Sequence, residues 1–336
     1  MADQSIRGGN VTLHDVAARA GVSASTASLV VRGSNLPKAR TREIVLKAIS
    51  DLGYVYNRAA SNLRSQSSQT IGVLVGEITN PFYAELIAGV EQVLNQAGRL
   101  SFLANTGELL DRQEQFIRQI REQGVEGILL SPAVQTPAKL VASLRQWNLP
   151  CVQALRRCSE EAVDYVGPDY RMGMELATEH LIGRGHRRIA YLVADRDTSA
   201  VRERLAGFRA AMARHGLDPA ALIRCQPTRN EGARLVRQML AAGELPTAVL
   251  CYNDVLAFGV LTGLYRAGKR PGQDVAVVGF DNILEAGENW IGLTTIAVDP
   301  HRIGEAAAKL LLQRIADPAG RPEQIILPPR LIVRET

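Results

Sequence analysis

From residue 70 onward, short apolar runs alternate with longer stretches whose apolar residues recur every three or four positions. Residues 71–75 form a continuous apolar run, which is typical of a strand buried on both faces of a sheet. Residues 81–97 follow with helical spacing and end at Gly98. The same alternation predicts further strands over residues 100–104, 127–130, 151–155, 188–193, 248–251 and 275–279.

Strands that alternate with helices indicate parallel sheets covered by helices on both faces. This part of the chain is longer than one compact sheet requires, so we expect two α/β lobes. Ligands of such folds bind beyond the carboxyl ends of the strands, and a cleft between two lobes is a common ligand site.

The first 56 residues follow a different pattern, which predicts three short helices over residues 13–20, 24–31 and 38–52. Thr12 and Ser23 are suitable N-caps for the first two helices, and Gly21 is suited to ending the first. The inward face of the third helix is expected to contain four apolar residues. These are Ile44, Ala48, Ile49 and Leu52.

Two short helices joined by the turn 21–23 indicate a helix-turn-helix, although an ordinary helical hairpin has the same outline. In a helix-turn-helix the second helix enters the major groove with its N-terminal half towards the bases. That half holds small and polar residues here, namely Ala24, Ser25, Thr26 and Ser28. Such residues can approach base edges closely.

The net charge of +5 lies entirely in the first fifth of the chain. The first 70 residues hold nine Lys and Arg against four Asp and Glu, whereas the rest holds 30 of each sign. A basic module on a neutral body is typical of nucleic-acid binding, although a solvated basic helix would give the same count.

Other protein classes lack support in the sequence. With 46% hydrophobic and 22% charged residues the chain is an ordinary globular protein. No apolar run reaches the roughly 18 residues of a membrane helix, and residues 1–10 lack the apolar segment of a secretory signal. The cysteines form no CxxC pair, the histidines lack metal spacing, and the usual phosphate-loop, HExxH and GxSxG motifs are missing. We therefore predict a cytoplasmic protein that is not an enzyme and has no cofactor or metal site.

Several short segments support a family relationship, because they occur together and in order. They are VTLHDVAARAGVS at 11–23, GYVYNRAA at 53–60, NPFYAEL at 80–86, GHRRIA at 185–190, RLAGF at 204–208, VGFD at 278–281 and LTTI at 293–296. In these segments the chain resembles the LacI/GalR family of bacterial transcription repressors. The resemblance implies a homodimer whose two helix-turn-helix heads read a pseudo-palindromic operator.

The resemblance also assigns DNA contacts. Residues 57–64 would be a hinge helix in the minor groove, with Leu63 as the apolar wedge that kinks the duplex; packing of Leu63 on the body is the alternative. The full set of implied DNA contacts is Thr12, Leu13, Ser23, Ala24, Ser25, Thr26, Ser28, Leu29, Asn57, Arg58, Ala60 and Leu63.

The fold class implied is an all-α helix-turn-helix head joined by a hinge helix to an α/β body of two doubly wound parallel-sheet lobes, of the periplasmic-binding-protein-like type I. The expected boundaries are 1–56 for the head, 57–70 for the hinge and linker, 71–168 plus 297–327 for the first lobe, and 169–296 plus 328–336 for the second. The chain would cross between lobes near Asp169, Ala297 and Pro328.

A small-molecule effector is expected between the lobes. The residues matched to this site are Phe82, Tyr83, Arg156, Asp169, Arg204, Asn253 and Asp281. An arginine fork at position 204 suits vicinal hydroxyls or a carboxylate. The alternatives are surface pairing for Arg204, capping for Asn253 and Asp281, and core packing for Phe82.

Three departures from the family pattern bear on specificity. Leu29 stands where most members have Arg, which removes a bidentate guanine contact. The segment 153–157 (QALRR) lacks the usual Asp and adds cations, which suggests an anionic effector such as a sugar acid or a phosphorylated metabolite. Trp290 either lines the cleft or packs in the core.

The sequence therefore predicts a dimeric repressor of a carbohydrate or related metabolic operon, whose operator affinity is controlled by a sugar, a sugar acid or a similar metabolite. A secreted solute-binding protein with the same body is the alternative that the basic head disfavours. Whether the effector induces or corepresses is left open.

Overall fold

The computed structural model describes residues 11–55, 68–159, 163–219 and 221–336. The chain divides into two compact units at residues 68 and 69. We call residues 11–55 the head and residues 69–336 the body. Asn57, Arg58, Ala60 and Leu63, which carry the predicted hinge contacts, lie outside the described residues.

The head consists of α1 (Leu13–Ala20), α2 (Ala24–Val31) and α3 (Ala39–Leu52), which confirms the three predicted helices. A capping box opens α1: the Thr12 N–H donates to Asp15 Oδ2 at 2.8 Å, and the Asp15 N–H donates to Thr12 Oγ1 at 3.3 Å. Gly21 then ends the helix at φ 64°, a left-handed conformation that glycine adopts without strain.

The core of the head is small and corrects one expectation about α3. Val16, Ala27, Val45 and other small apolar residues meet in it. Ile44, predicted to be buried, is 44% exposed instead. The inward face of α3 starts one residue later, because positions 45, 48, 49 and 52 follow the helical repeat that faces α1 and α2.

The first lobe of the body contains a six-stranded parallel sheet within the described residues, in the order β11-β5-β4-β3-β1-β2. Its strands are β1 (Thr70–Val75), β2 (Leu100–Asn105), β3 (Gly127–Leu130), β4 (Cys151–Ala154), β5 (Tyr165–Pro168) and β11 (Gln324–Leu327). Its helices are α4 (Pro81–Gln96), α5 (Leu110–Glu122), α6 (Lys139–Gln146) and α12 (Pro300–Ala316). As predicted from its apolar run, β1 is buried over residues 71–75.

The second lobe contains a four-stranded parallel sheet in the order β7-β6-β8-β9, again within the described residues. Its strands are β6 (Ile189–Ala194), β7 (Leu222–Cys225), β8 (Ala248–Cys251) and β9 (Ala276–Val278). Its helices are α7 (Tyr170–Gly183), α8 (Ser199–Arg214), α9 (Arg229–Ala241), α10 (Asp254–Arg266) and the short α11 (Glu285–Glu288).

An antiparallel pair of strands, β10 (Thr295–Ala297) and β12 (Arg330–Ile332), lies where the chain passes between the lobes. The chain leaves the first sheet after β5, returns between β10 and α12, and leaves again between β11 and β12. Three such connections close together allow two lobes to move about a common hinge.

Helices α4 and α12 pack against each other with almost no space at two glycines. A Cβ placed on Gly304 would lie 2.0 Å from the Leu86 carbonyl oxygen, and one on Gly89 would lie 2.0 Å from the His301 carbonyl oxygen. Because both obstacles are backbone atoms, only glycine fits there. This contact holds α4, whose N-terminus carries candidate site residues, in a fixed place on the first lobe.

Candidate functional sites

The N-terminus of α2 presents hydroxyl groups and no charge. Ser23 caps the helix by accepting from the Thr26 N–H at 3.2 Å. The Ser23 Oγ also lies 2.8 Å from Ser25 Oγ and 2.8 Å from Thr26 Oγ1. All eight residues of α2 are uncharged. The start of α2 therefore presents small and hydroxyl-bearing side chains, and their contact with base edges stays a prediction.

The head residues predicted to contact DNA lie on α1 and α2 and at the N-caps of these two helices. Ser25 and Thr12 are exposed, whereas Leu29 and Leu13 are half-buried, and Leu13 packs on the head core. Ala24 and Ser28 are also half-buried on α2. Three of the eight predicted residues of the head are therefore exposed, namely Thr12, Ser23 and Ser25, and Leu29 offers only part of an apolar side chain.

A cavity of about 40 Å³ lies between the two lobes of the body. Asn80, Phe82, Tyr83, Leu155 and Arg156 line it from the first lobe. From the second lobe it is lined by Tyr170, Ala200, Arg204, Tyr252, Asn253 and Asp281. Six of the seven residues predicted for effector binding thus meet at one place.

Asp169, the seventh predicted residue, is not among the described residues that line the cavity. Its Oδ1 accepts from the Met172 N–H at 2.8 Å and caps α7. Trp290 is 59% exposed and packs against Tyr265, with ring centroids 5.4 Å apart. It belongs neither to the cavity lining nor to the core.

The guanidinium of Arg204 is buried in the cavity among three aromatic rings. Its guanidinium carbon lies 4.0 Å from the ring centre of Tyr170, 4.5 Å from that of Tyr252 and 4.3 Å from that of Phe280. Nη2 lies 3.7 Å from Asp281 Oδ1, while Nε and Nη1 are buried without a hydrogen-bond partner among the described residues. Buried donors of a charged group are seldom left without partners, so these two N–H groups indicate a place for ligand oxygens.

Two polar residues from neighbouring strand ends face Arg204. Asn253 accepts from the Leu256 N–H at 3.0 Å, so it caps α10 and lines the cavity at once. Asp281 has a positive φ of 119°, which aims its carboxyl at Arg204. Burial raises the pKa of Asp281 to about 7, opposed by the charge of Arg204 and a hydrogen bond from Asn80. Burial and the nearby Asp281 also raise the pKa of Asp254.

Arg156 is held by a partner that the sequence did not indicate. Its Nη1 and Nη2 donate to the two carboxylate oxygens of Glu108, each at 2.6 Å. Nη1 also donates to the Pro132 carbonyl oxygen at 3.1 Å, and Nη2 to the Tyr83 hydroxyl at 3.3 Å. Arg156 is therefore paired with a carboxylate and is not the free cation on which the suggested anionic effector depended.

The sequence missed five of the lining residues, although signals for four were present. Leu155, Tyr170 and Tyr252 each adjoin a residue that the resemblance selected, and Asn80 opens the segment NPFYAEL that carries part of the resemblance. Ala200 carried no such signal. Leu155 reaches the cavity because its φ of 68° turns the chain just after β4.

No helix in the described part of the chain is long and apolar enough to cross a membrane.

Comparisons with known proteins find matches for both the head and the body. Residues 12–57 match the bacterial regulatory proteins of the lacI family, and residues 178–336 match the periplasmic binding protein-like domain. The maltose regulon regulatory protein MalI of Escherichia coli strain K12 is 33% identical over 333 residues, which cover 96% of this chain and 97% of MalI. The repressor PurR of Photobacterium profundum is 32% identical and covers 97% of this chain and 98% of its own.

Solved structures show the same architecture. The lac repressor dimer bound to operator and the anti-inducer ONPF matches with a TM-score of 0.86 at 28% identity, covering 98% of this chain and 99% of that chain. The complex of the regulator CelR with cellobiose matches with a TM-score of 0.73 at 32% identity, covering 97% and 99%.

A helix-turn-helix head on a two-lobed, periplasmic-binding-protein-like body defines a DNA-binding transcriptional regulator and not an enzyme. The chain belongs to the LacI family of bacterial regulatory proteins.

Proposed function

We propose that this protein is a dimeric, cytoplasmic, nucleoid-associated repressor of a carbohydrate or related metabolic operon. Its effector binds in the cavity between the lobes and changes the affinity for operator DNA. MalI and PurR are named as regulatory proteins, the lac repressor is a dimer bound to operator, and CelR holds cellobiose. These relatives support the proposal at the level of class.

The observation that carries the proposal is the pair of partnerless N–H groups of Arg204 beside Asp281 and Asn253. Donors and acceptors that alternate within one small space suit a ligand rich in hydroxyl groups, since each hydroxyl both donates and accepts. The apolar rings of Phe82 and Tyr252 complete the lining, as at sites where a few polar groups orient a ligand among aromatic walls.

Charge balance favours a neutral effector. Asp281 lies 3.7 Å from Arg204, and Glu108 takes both ends of the Arg156 fork. A neutral sugar would leave these pairs intact and would add no charge to a cavity whose arginines already have acidic partners. We therefore propose a polyhydroxylated neutral ligand ahead of a sugar acid or a phosphate ester.

The size of the cavity links binding to lobe movement. Small-molecule sites usually enclose roughly 300–1,000 Å³, and a space of about 40 Å³ holds only a few water molecules. An effector must therefore separate the lobes to enter and be held as they close on it. A ligand that prefers one lobe arrangement shifts the population towards it, which is how it changes operator affinity.

On the DNA side, we propose that the hydroxyls of α2 read the operator and that the residues predicted at 57–63 bind its minor groove. An uncharged recognition helix makes no bidentate arginine contact with guanine, so base readout depends on hydroxyl hydrogen bonds and on methyl contacts with thymine. The basic residues of the head supply contacts with phosphate.

The test is enrichment of fragmented source genome on the purified protein at near-physiological salt, followed by sequencing and calorimetry with candidate sugars. We expect a few fragments that share a pseudo-palindrome, and a neutral sugar whose binding alters their retention. Lack of enrichment with and without metabolite pools would refute operator binding. Binding of anions alone would refute the effector class.

A further inference from the structure

Two consecutive arginines follow β4 at the edge of the first lobe, and the second of them reaches into the other lobe. Arg157 Nη2 donates to Glu203 Oε1 on α8 at 2.7 Å. Its backbone N–H donates to Ser199 Oγ, at the start of the same helix, at 2.8 Å. The Tyr165 ring, 5.0 Å from the guanidinium, holds Arg157 on the side of the first lobe.

The other arginine reaches the second lobe through an acid. Glu108, in the loop between β2 and α5, binds Arg156 with both carboxylate oxygens. Its Oε1 also accepts from Arg196 Nη1, in the loop after β6 of the second lobe, at 2.9 Å. The side chains of Glu108 and Arg196 are each only 15% exposed, so solvent screens this contact little.

These contacts share a geometric property: they exist only while the lobes are together. Hydrogen-bonded ion pairs lose most of their energy once the heavy atoms separate by a few ångströms and water enters between them. The contacts to Arg196 and Glu203 also lie outside the lining of the effector cavity among the described residues. They therefore favour lobe closure from outside the cavity, and Glu108 connects one of them to Arg156, which lines it.

We propose that Glu108–Arg196 and Arg157–Glu203 form an interlobe clasp that sets the balance between closed and open lobes, and thereby the affinity for the effector. The clasp itself is a property of the body. Only its effect on the effector rests on the proposed function.

The Arg157 backbone amide reports lobe opening directly, because its hydrogen-bond acceptor is on the opposite lobe. Hydrogen exchange at this amide, read at single-residue resolution in the full chain, measures how often the lobes separate. We expect Arg196→Met to accelerate this exchange roughly tenfold or more, as loss of a hydrogen bond between charged groups implies. This variant leaves Glu108 paired with Arg156, so it strands no buried charge.

Glu203→Met removes the second contact and should accelerate the same amide. Arg99→Met is the matched control, because Arg99 and Glu126 form an Arg–Glu pair at 3.0 Å within the first lobe alone. The control should leave exchange at Arg157 unchanged. Unchanged exchange in both clasp variants, with native circular dichroism, would overturn the proposal. So would equal acceleration in the control.

A second readout separates this inference from the proposed function. If only closed lobes hold the effector, its apparent affinity falls by the same factor as the closed population. Faster exchange with weaker effector binding supports both proposals. Faster exchange in a protein that binds neither sugar nor operator would support the interlobe clasp and refute the proposed function as a repressor. Faster exchange with unchanged effector affinity would overturn the link between clasp and effector.

Discussion

Replacement of Arg204 by Met tests whether the cavity binds the effector. Met keeps an unbranched side chain that packs well against aromatic rings, but it removes the guanidinium with its two buried, partnerless N–H groups. A hydrogen bond from a charged donor contributes about 1.5–3 kcal/mol. Two such bonds amount to about 3–6 kcal/mol, so effector affinity should fall roughly 10²- to 10⁴-fold.

The fold should tolerate this change, because Asp281 can be neutralised. The pKa of Asp281 is about 7 even with Arg204 beside it. Loss of the cation raises this pKa further, so near neutral pH the carboxyl takes up a proton instead of remaining as a buried charge. We expect the melting temperature to change by no more than about 4 °C, equivalent to about 1 kcal/mol.

Isothermal titration of the effector into wild type and Arg204→Met gives the affinities, and calorimetric melting gives the stabilities. Arg209→Met is the matched control, since Arg209 lies on the same helix and is exposed. It should bind the effector as wild type does. Effector binding by Arg204→Met within threefold of wild type would refute the assignment of the cavity.

Three further predictions concern stability and operator choice. The pKa of Asp281 is raised from 3.8 to about 7, so the free energy of unfolding of the wild type should fall by up to about 4 kcal/mol relative to Asp281→Asn as the pH rises between these values. Melting temperatures of the two proteins that change in parallel from pH 4 to 8 would contradict this. Gly304→Ala should cost at least about 1–3 kcal/mol in urea unfolding, because its Cβ meets the Leu86 carbonyl oxygen, whereas Gly183→Ala, with nothing within 4 Å, should cost nothing. Leu29→Arg should shift the selected operator towards guanine at one position by about 1–3 kcal/mol, and an unchanged selected sequence would refute contact there.

Most helices and strands of this fold could be predicted from the sequence, because they depend on residues that are close together in the chain. Apolar runs such as 71–75 gave buried strands, and the cap at Thr12 with the glycine at position 21 gave the limits of α1. The residues that meet in the interlobe cavity were selected by resemblance, since Arg204 and Asp281 lie in short segments that the family shares. Composition alone would not have brought them together.

What escaped prediction depends on long-range geometry. Glu108 is 48 residues from Arg156 and 88 from Arg196, and nothing near it in the sequence signals a partner. Asp169 has the residue type of a ligand contact but its carboxyl is used by the start of α7. The error at Ile44 was one of register, because adjacent apolar residues on a helix can face opposite sides.

The central claim is that one small molecule, bound between the lobes through Arg204, controls operator affinity. The most direct test is the operator dissociation constant, by fluorescence anisotropy, with and without saturating effector in wild type and Arg204→Met. We predict a change of about 5- to 150-fold in wild type and none in the variant at the same effector concentration. An operator affinity that is the same with and without effector in wild type, or an equal response in both proteins, would contradict the account.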